Sequence, residues 1–224
     1  MKFLHSQSRI EGFSDAVFAL AATLMVVSID TEKDFTLLDG QFNEFIGFGI
    51  SFAVLVLIWM VHYNFFRRTR HIDSVIITLN MSLLFIILYF VFPLKTMIKS
   101  WFENIGLTLE TLAGLFELYG LGFCLIFGCF SGMYYRAYRK DRSEGKNLTL
   151  LFYSRHYAIF VLVGLLSIIT AISKVGITYA LPGPIYALLG PLCYAHGVWF
   201  KRRYEDSQSK FTKVQSSKQQ DQHV

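Results

Sequence analysis

Six apolar segments follow one another along the chain and are separated by short polar connections. A transmembrane helix needs about 20 mostly apolar residues, and with 54% hydrophobic residues and a mean hydropathy of +0.44 the chain is too apolar for an ordinary soluble domain. The sequence therefore predicts an all-α integral membrane protein with one six-helix transmembrane domain, residues 1–206, and a polar, disordered tail, residues 207–224. The predicted spans are 9–29, 43–66, 74–98, 111–137, 152–173 and 184–200.

Basic residues are concentrated on one side of this predicted topology. Seventeen of the 21 lysines and arginines lie at the N-terminus, after the second and fourth spans, and in the tail. Because cytoplasmic loops carry the excess of Lys and Arg, both termini are expected to be cytoplasmic. The first connection, expected outside, is acidic and holds Asp30, Glu32, Asp34, Asp39 and Glu44. Since the basic residues follow membrane topology, we expect no nucleic-acid partner.

Enzymatic and metal-binding signatures are missing from the sequence. The cysteines Cys124, Cys129 and Cys193 all lie in apolar runs and form neither a disulfide framework nor a metal-ligand spacing. We find no nucleophile with a nearby base, no zinc spacing and no phosphate-binding loop. The sequence therefore predicts that the protein is not an enzyme and needs no cofactor or metal.

A carboxylate lies at the edge of the first apolar run. That run, residues 16–29, is fourteen residues long, which is about 21 Å of helix against a hydrocarbon core of roughly 30 Å. The helix must therefore begin earlier and carry Asp15 into the membrane. Ionisable groups there are costly and usually belong to an ion pathway or a buried network.

Polar side chains of the first three spans are expected to meet at one depth. In the predicted topology Ser14 and Asp15, Trp59 and His62, and Asn80 all lie one to two turns from the cytoplasmic ends of their spans. Such groups can satisfy one another's hydrogen bonds and clamp the three helices together. The same groups could instead form a proton relay or a cation site.

Helical angles separate two faces of the first span. At 100° per residue, Asp15 lies about 140° from Leu20, whereas Leu24 and Val27 lie within about 40° of Leu20 and Thr23 within about 60°. The leucine stripe therefore faces a different neighbour from Asp15. The spacing of the stripe alone does not determine whether it faces lipid, another helix or a pore.

The string RIEGFSD, Arg9 to Asp15, resembles the Arg-x-x-x-Phe-Ser-Asp signature of the lysosomal potassium channel family known as transmembrane protein 175. The resemblance extends to the second-span Trp-x-x-His pattern at Trp59 and His62. It covers the first three spans well, and the last three resemble the family only in number, length and loop charge. Further matching positions are Thr23, Asn80, Pro93 and Thr96.

This resemblance implies a bacterial protein of the inner membrane that assembles with itself as a homotetramer around a pore lined by the first helix. It implies a hydrophobic constriction at Leu20, Leu24 and Val27 and an adjacent polar ring at Thr23. A cytoplasmic-side network would hold the pore helix in place, formed by Arg9, Phe13, Ser14, Asp15, Trp59, His62 and Asn80.

The implied function is a potassium-preferring cation channel that lets K+ flow passively across the bilayer. The sequence holds no TVGYG-like carbonyl filter, so the selectivity must come from the constriction itself. Two positions depart from the family pattern: Tyr63 replaces a second histidine that often follows His62, and Val27 stands where leucine is common. The alternative is a proton-coupled or ion-coupled transporter in which Asp15 and His62 titrate.

Overall fold

The computed structural model describes residues 7–27, 40–69, 72–102, 108–141, 147–174, 176 and 181–220. Within these ranges, side chains are described except at 40–44, 91–102 and 205–220. Residues 30–39 of the predicted acidic first connection lie outside the described residues, and at 40–44 only the backbone is described. The side chains of Pro93 and Thr96 also lie outside them.

The described residues are helical except in the short connections, as the sequence predicts. They form six α-helices, and a short 3-10 helix, Pro184–Leu188, precedes the last of them. The six are α1 (Gln7–Val27), α2 (Gly40–Arg68), α3 (Ser74–Phe102), α4 (Leu109–Asp141), α5 (Leu148–Ile172) and α6 (Leu189–Gln220).

Four of the helices are long and apolar enough to cross a membrane, judged over the described residues. They are α1, α2 from Phe45, α4 and α5, and a shorter apolar stretch of α3 covers Ser74–Phe90. The sixth predicted span differs from the structure, because residues 184–188 form the 3-10 helix and α6 starts only at Leu189. Charged residues follow its apolar part from Lys201 onward, so α6 does not pass the same test of length and composition.

Helix α6 belongs to a compact unit of its own, Ala187–Val224, while α1 to α5 and the chain up to Tyr186 form another. The backbone of α6 stays helical to Gln220, so most of the tail that we expected to be disordered is helical instead. This is physically reasonable, because the Gln, Lys and Ser residues of this tail tolerate a helix once a preceding segment has nucleated it, and it holds no Pro or Gly. The domain boundary at 206 stays a prediction.

Asp73 stabilises the start of α3. Its Oδ1 accepts a hydrogen bond from the backbone N–H of Ile76 (3.1 Å), which caps the start of α3. Its Oδ2 pairs with Arg136 of α4 at 2.7 Å. Burial acts to raise the pKa of Asp73, but the Ile76 hydrogen bond and the charges of Arg136 and Lys140 outweigh it, so the pKa lies below its ordinary 3.8.

Helices α4 and α5 pack against each other as an antiparallel pair. The hydroxyls of Ser131 and Ser154 each donate to the other residue's backbone carbonyl, at 2.9 and 3.1 Å. A Cβ added at Gly164 would lie 2.6 Å from the Cys124 sulfur, so the two backbones approach closely there. Stacked and tilted rings fill the rest of this contact, among them Phe123, Phe127, Phe130, Tyr134, Tyr153, Tyr157 and Phe160.

Candidate functional site

Helix α1 has one buried face and one exposed face within the subunit. The buried face carries Ser14, Phe18, Ala21 and Met25, at spacings of three and four residues. Phe18, Ala21 and Met25 contribute to the hydrophobic core shared with α2 and α3. Because successive side chains are 100° apart, burial of this stripe fixes the rotation of α1 and turns the opposite stripe outward.

A chain of buried hydrogen bonds joins α2, α3 and α1. Nε2 of His62 lies 2.8 Å from Oδ1 of Asn80, and because an amide oxygen can only accept, the imidazole donates. The Asn80 amide then donates to the Ser14 hydroxyl (3.0 Å), which donates to the backbone carbonyl of Ile10 (2.8 Å). His62, Asn80 and Ser14 are each at most 1% exposed. Each of these three hydrogen bonds therefore has a defined direction, and the series ends at the Ile10 carbonyl of the α1 backbone.

Apolar residues enclose the imidazole. The His62 ring lies 5.4 Å from the Phe18 ring and 4.8 Å from the Phe66 ring, measured between centroids. Neither phenylalanine was predicted from the sequence as part of the site. Phe18 follows Ser14 by four residues and so lies on the same face of α1, which is the signal that could have identified it.

Asp15 makes a separate contact at the surface of the subunit. Its Oδ1 accepts a hydrogen bond from the indole N–H of Trp59 (2.8 Å), and the carboxylate is exposed. Trp59 stacks on Tyr63, whose ring lies 5.5 Å from the Arg67 guanidinium. Tyr63, where the family often has histidine, thus extends an aromatic row along α2.

The predicted network is therefore split in two rather than continuous. The structure groups His62, Asn80 and Ser14 in the interior, and Asp15 and Trp59 at the surface. In the buried chain an amide separates the imidazole from the hydroxyl. Because an amide is neither a practical acid nor a base at neutral pH, this arrangement suits a structural clamp better than a proton relay.

Arg9 and Phe13 do not join either group among the contacts that the described residues make. Both are exposed, Phe13 by 54%, on the outward side of α1. The physical reason is helical phase, since Phe13 lies 100° from Ser14 and only about 20° from Leu20. The part of Arg9 and Phe13 in the helix-anchoring network stays a prediction.

The predicted constriction residues lie on the exposed face of α1. Leu20 is 49% exposed and Val27 is 75% exposed, while Leu24 is half-buried. Thr23 is exposed, and its hydroxyl donates to the Ala19 carbonyl of the same helix (2.9 Å). The lone pairs of the Thr23 oxygen consequently remain available to accept. No group of three His, Cys, Asp or Glu side chains able to hold a metal ion occurs in the described parts of the chain.

These features define a polytopic, all-helical membrane protein whose first helix is clamped on one face and exposed on the other. The family model described as "Endosomal/lysosomal potassium channel TMEM175" matches residues 9–91. A protein named potassium channel from Marivirga tractuosa is 37% identical over 213 residues, which cover 85% of this chain and 86% of that protein. The chain therefore belongs to the TMEM175 family, whose members are ion channels rather than enzymes.

Solved structures agree with this assignment. A variant of the potassium channel MtTMEM175, crystallised with a nanobody fusion protein, matches with a TM-score of 0.74 and 32% identity over 90% of this chain and 96% of that one. A protein from Chamaesiphon minutus, described as a homologue of the lysosomal potassium-selective channel TMEM175, matches with a TM-score of 0.58 over 82% of this chain and 97% of that one. At 22% identity, the second match supports the fold alone.

Proposed function

We propose that four copies of the chain assemble around a central pathway lined by α1, through which K+ passes down its gradient. The observation that carries this proposal is the exposed face of α1, on which Leu20, Thr23 and Val27 lie opposite the clamped face. Family membership and the names of the relatives support K+ as the permeant ion.

Over residues 156–172, helix α5 shows what an exposed, apolar face looks like in the same subunit; its exposed Thr149 and Arg155 lie before this stretch, toward the start of the helix. Its exposed large side chains are Leu162, Leu165, Leu166, Ile169 and Ile172. The exposed face of α1 that carries Leu20 additionally presents Thr23 and, at the start of the helix, Arg9. Charged and polar groups at membrane depth face other protein or water rather than lipid. We therefore assign the α5 face to lipid and the α1 face to the pathway and its neighbouring copies.

Leu20, Leu24 and Val27 would each form a ring of four side chains. They are four and three residues apart, which separates the rings by about 6 and 4.5 Å along the helix axis. Apolar rings of this kind form a dewetted constriction that an ion crosses only when the rings widen and water enters. The more strongly hydrated Na+ is then disfavoured relative to K+, and we expect the preference to be modest.

Thr23 would supply the polar ring next to this barrier. Its hydroxyl proton is engaged with the Ala19 carbonyl, so the oxygen faces the pathway as an acceptor. Four such oxygens can replace part of the hydration shell of a cation. The clamp formed by Ser14, Asn80 and His62 would keep α1 in the rotation that directs Thr23 and the leucines toward the axis.

The proposed topology has six crossings and both termini in the cytoplasm of a bacterial cell, in the inner membrane. It rests on the basic residues at the ends of α2 and α4, such as Arg67 and Arg136, and beyond Phe200. The acidic connection after α1 would then face outside and raise the local concentration of cations.

Reconstitution into liposomes tests the proposal, with currents recorded under opposed K+ and Na+ gradients. We expect a reversal potential that favours K+, without any second substrate. Leu24→Ala should raise the current about threefold or more, because it removes one apolar ring. Leu162→Ala, on the exposed face of α5, is the matched control and should leave the current unchanged.

Two results would contradict the proposal. One is a reversal potential at the chloride value. The other is saturable exchange without unitary currents that is lost in Asp15→Asn, which would favour the transporter alternative.

A further inference from the structure

The last turn of α2 makes contacts on two sides, one toward α1 and one toward α4 and α5. On the first side the Gln7 amide donates to the backbone carbonyl of Phe66 (3.0 Å). On the second side the Arg68 guanidinium reaches Tyr134 and Tyr153. The turn therefore lies between the start of the proposed pore helix and the helix pair α4–α5, whose residues the family model does not cover.

Arg68 occupies a site that suits a guanidinium. Its Nη1 donates to the Tyr134 hydroxyl (3.3 Å), and its Cζ lies 4.1 Å from the centre of the Tyr153 ring. Tyr134 is fully buried, and the Phe65 ring of α2 packs edge-on against it at 4.9 Å. A planar guanidinium can stack on one ring while its N–H groups point to a second partner, which a lysine ammonium does less well.

The contact on the α1 side satisfies a group that the end of a helix leaves open. The last four carbonyls of a helix lack i+4 partners within the helix, and among the described residues that of Phe66 accepts only a long turn bond from the Thr69 N–H (3.4 Å) before Gln7 is counted. Gln7 supplies a donor to this carbonyl from the first residue of α1, and its amide also donates to the Glu11 carboxylate (2.8 Å), which orients it. The start of α1 is thus attached to backbone at the end of α2.

We propose that Arg68 is a positioning residue for conduction: it holds the end of α2 against α4–α5, and α2 in turn holds the start of α1 through Gln7. This inference rests on the proposed function, in which α1 lines the pathway. Loss of the Arg68 contacts releases the end of α2, and Gln7 and α1 then shift or loosen together with the leucine stripe.

Two readouts test the proposal on the full-length protein in lipid. The first is hydrogen exchange of the α1 backbone amides at residues 7–14, and the second is K+ current in liposomes. In Arg68→Ala we expect exchange in this segment to accelerate about threefold or more and the current to change by a similar factor. Gln7→Ala should have the same effect on exchange, because it breaks the same link at its other end.

Arg67→Ala is the matched control. It removes the same charge from the same last turn, but Arg67 lies over Tyr63 on the exposed side of α2. Both readouts should stay at the wild-type level. Arg68→Lys keeps the charge and should restore the wild-type values only partly. Tyr134→Phe removes a single hydroxyl and replaces Arg68→Ala in the test if that variant does not fold. We expect Tyr134→Phe to change α1 exchange and K+ current in the same direction as Arg68→Ala, by a smaller factor.

The outcomes separate this inference from the proposed function. Unchanged α1 exchange in Arg68→Ala and Tyr134→Phe would overturn the coupling, whatever the currents show. Faster exchange with unchanged current in a conducting wild type would overturn the positioning role. If the wild type does not conduct, the proposed function fails, and the exchange measurement alone decides whether Arg68 positions α1.

Discussion

Helices α1 to α3 are joined at one end by a few directed hydrogen bonds between side chains, whereas α4 and α5 are joined by close backbone approach and packed aromatic rings. In the first region a single amide, Asn80, bridges Ser14 of α1 and His62 of α2. In the second region contacts repeat along the helices, from Cys124 beside Gly164 to Tyr134 beside Tyr153.

The two kinds of contact have different effects: the hydrogen bonds orient α1, whereas the repeated packing makes the α4–α5 pair rigid. Directed hydrogen bonds define how α1 is rotated, but they occupy only one level of that helix. Repeated close contacts along α4 and α5 resist displacement at every level. In the proposed channel, α1 packs through the face that carries Phe18, Ala21 and Met25 and exposes the opposite face. That exposed face could then widen the constriction, while the α4–α5 pair provides a stable reference.

The largest effect should follow from Asn80→Ala. The substitution leaves the His62 imidazole and the Ser14 hydroxyl without their partner in a buried site, which costs about 2 to 4 kcal/mol of stability. We also expect the current in liposomes to fall, because α1 loses its defined rotation. Thermal unfolding in detergent and liposome recordings measure the two effects.

Thr78→Ala is the control for this prediction. Thr78 is exposed on the same helix, and its hydroxyl donates only to the Ser74 carbonyl (2.9 Å). It should change neither stability nor current. Equal behaviour of Asn80→Ala and Thr78→Ala would mean that the buried chain of hydrogen bonds does not orient α1.

A smaller loss should follow from Gly164→Ala in the α4–α5 pair. The added Cβ would meet the Cys124 sulfur at 2.6 Å, and separating the helices costs about 1 to 3 kcal/mol. Gly128→Ala is the control, because a Cβ there meets its nearest neighbour, Val161, at 4.0 Å. If both variants unfold at the same temperature, close approach at Gly164 does not stabilise the pair.

Much of the helical fold follows from the sequence. Apolar length predicts five helices near their observed positions, and the polar residues Ser14, Asp15, Trp59, His62 and Asn80 do pair as two groups. The sixth segment was harder to place, because its apolar part is short and begins after a proline-containing turn. Where an apolar segment is both long and uninterrupted, hydropathy alone is sufficient.

The remaining features depend on contacts between helices, which the hydrophobic periodicity of the sequence does not specify. Helical phase places Asp15 away from Leu20, but it does not predict that Asp15 is exposed while Ser14 is buried. The contacts of Arg68 and Gln7 join residues about 60 apart in sequence or more. Only the packing of α1, α2 and α4 brings such residues together, so no local pattern predicts them.

The smallest predicted effect concerns Asp73, which links the two regions. Its pKa lies below the ordinary 3.8 in the folded protein, so its contribution to stability is present above pH 3.8 and is lost as the pH falls through the lowered value. Asp73→Ala removes both the α3 cap and the Arg136 pair and should cost about 1 kcal/mol at neutral pH.

Asp73→Asn keeps a capping side chain but has no charge to titrate. It should be less stable than the wild type at neutral pH by the contribution of the Arg136 pair, and this difference should shrink below pH 4, because the wild-type carboxylate is then protonated as well. Identical acid profiles for the wild type and Asp73→Asn would show that the Arg136 pair does not hold α3 to α4.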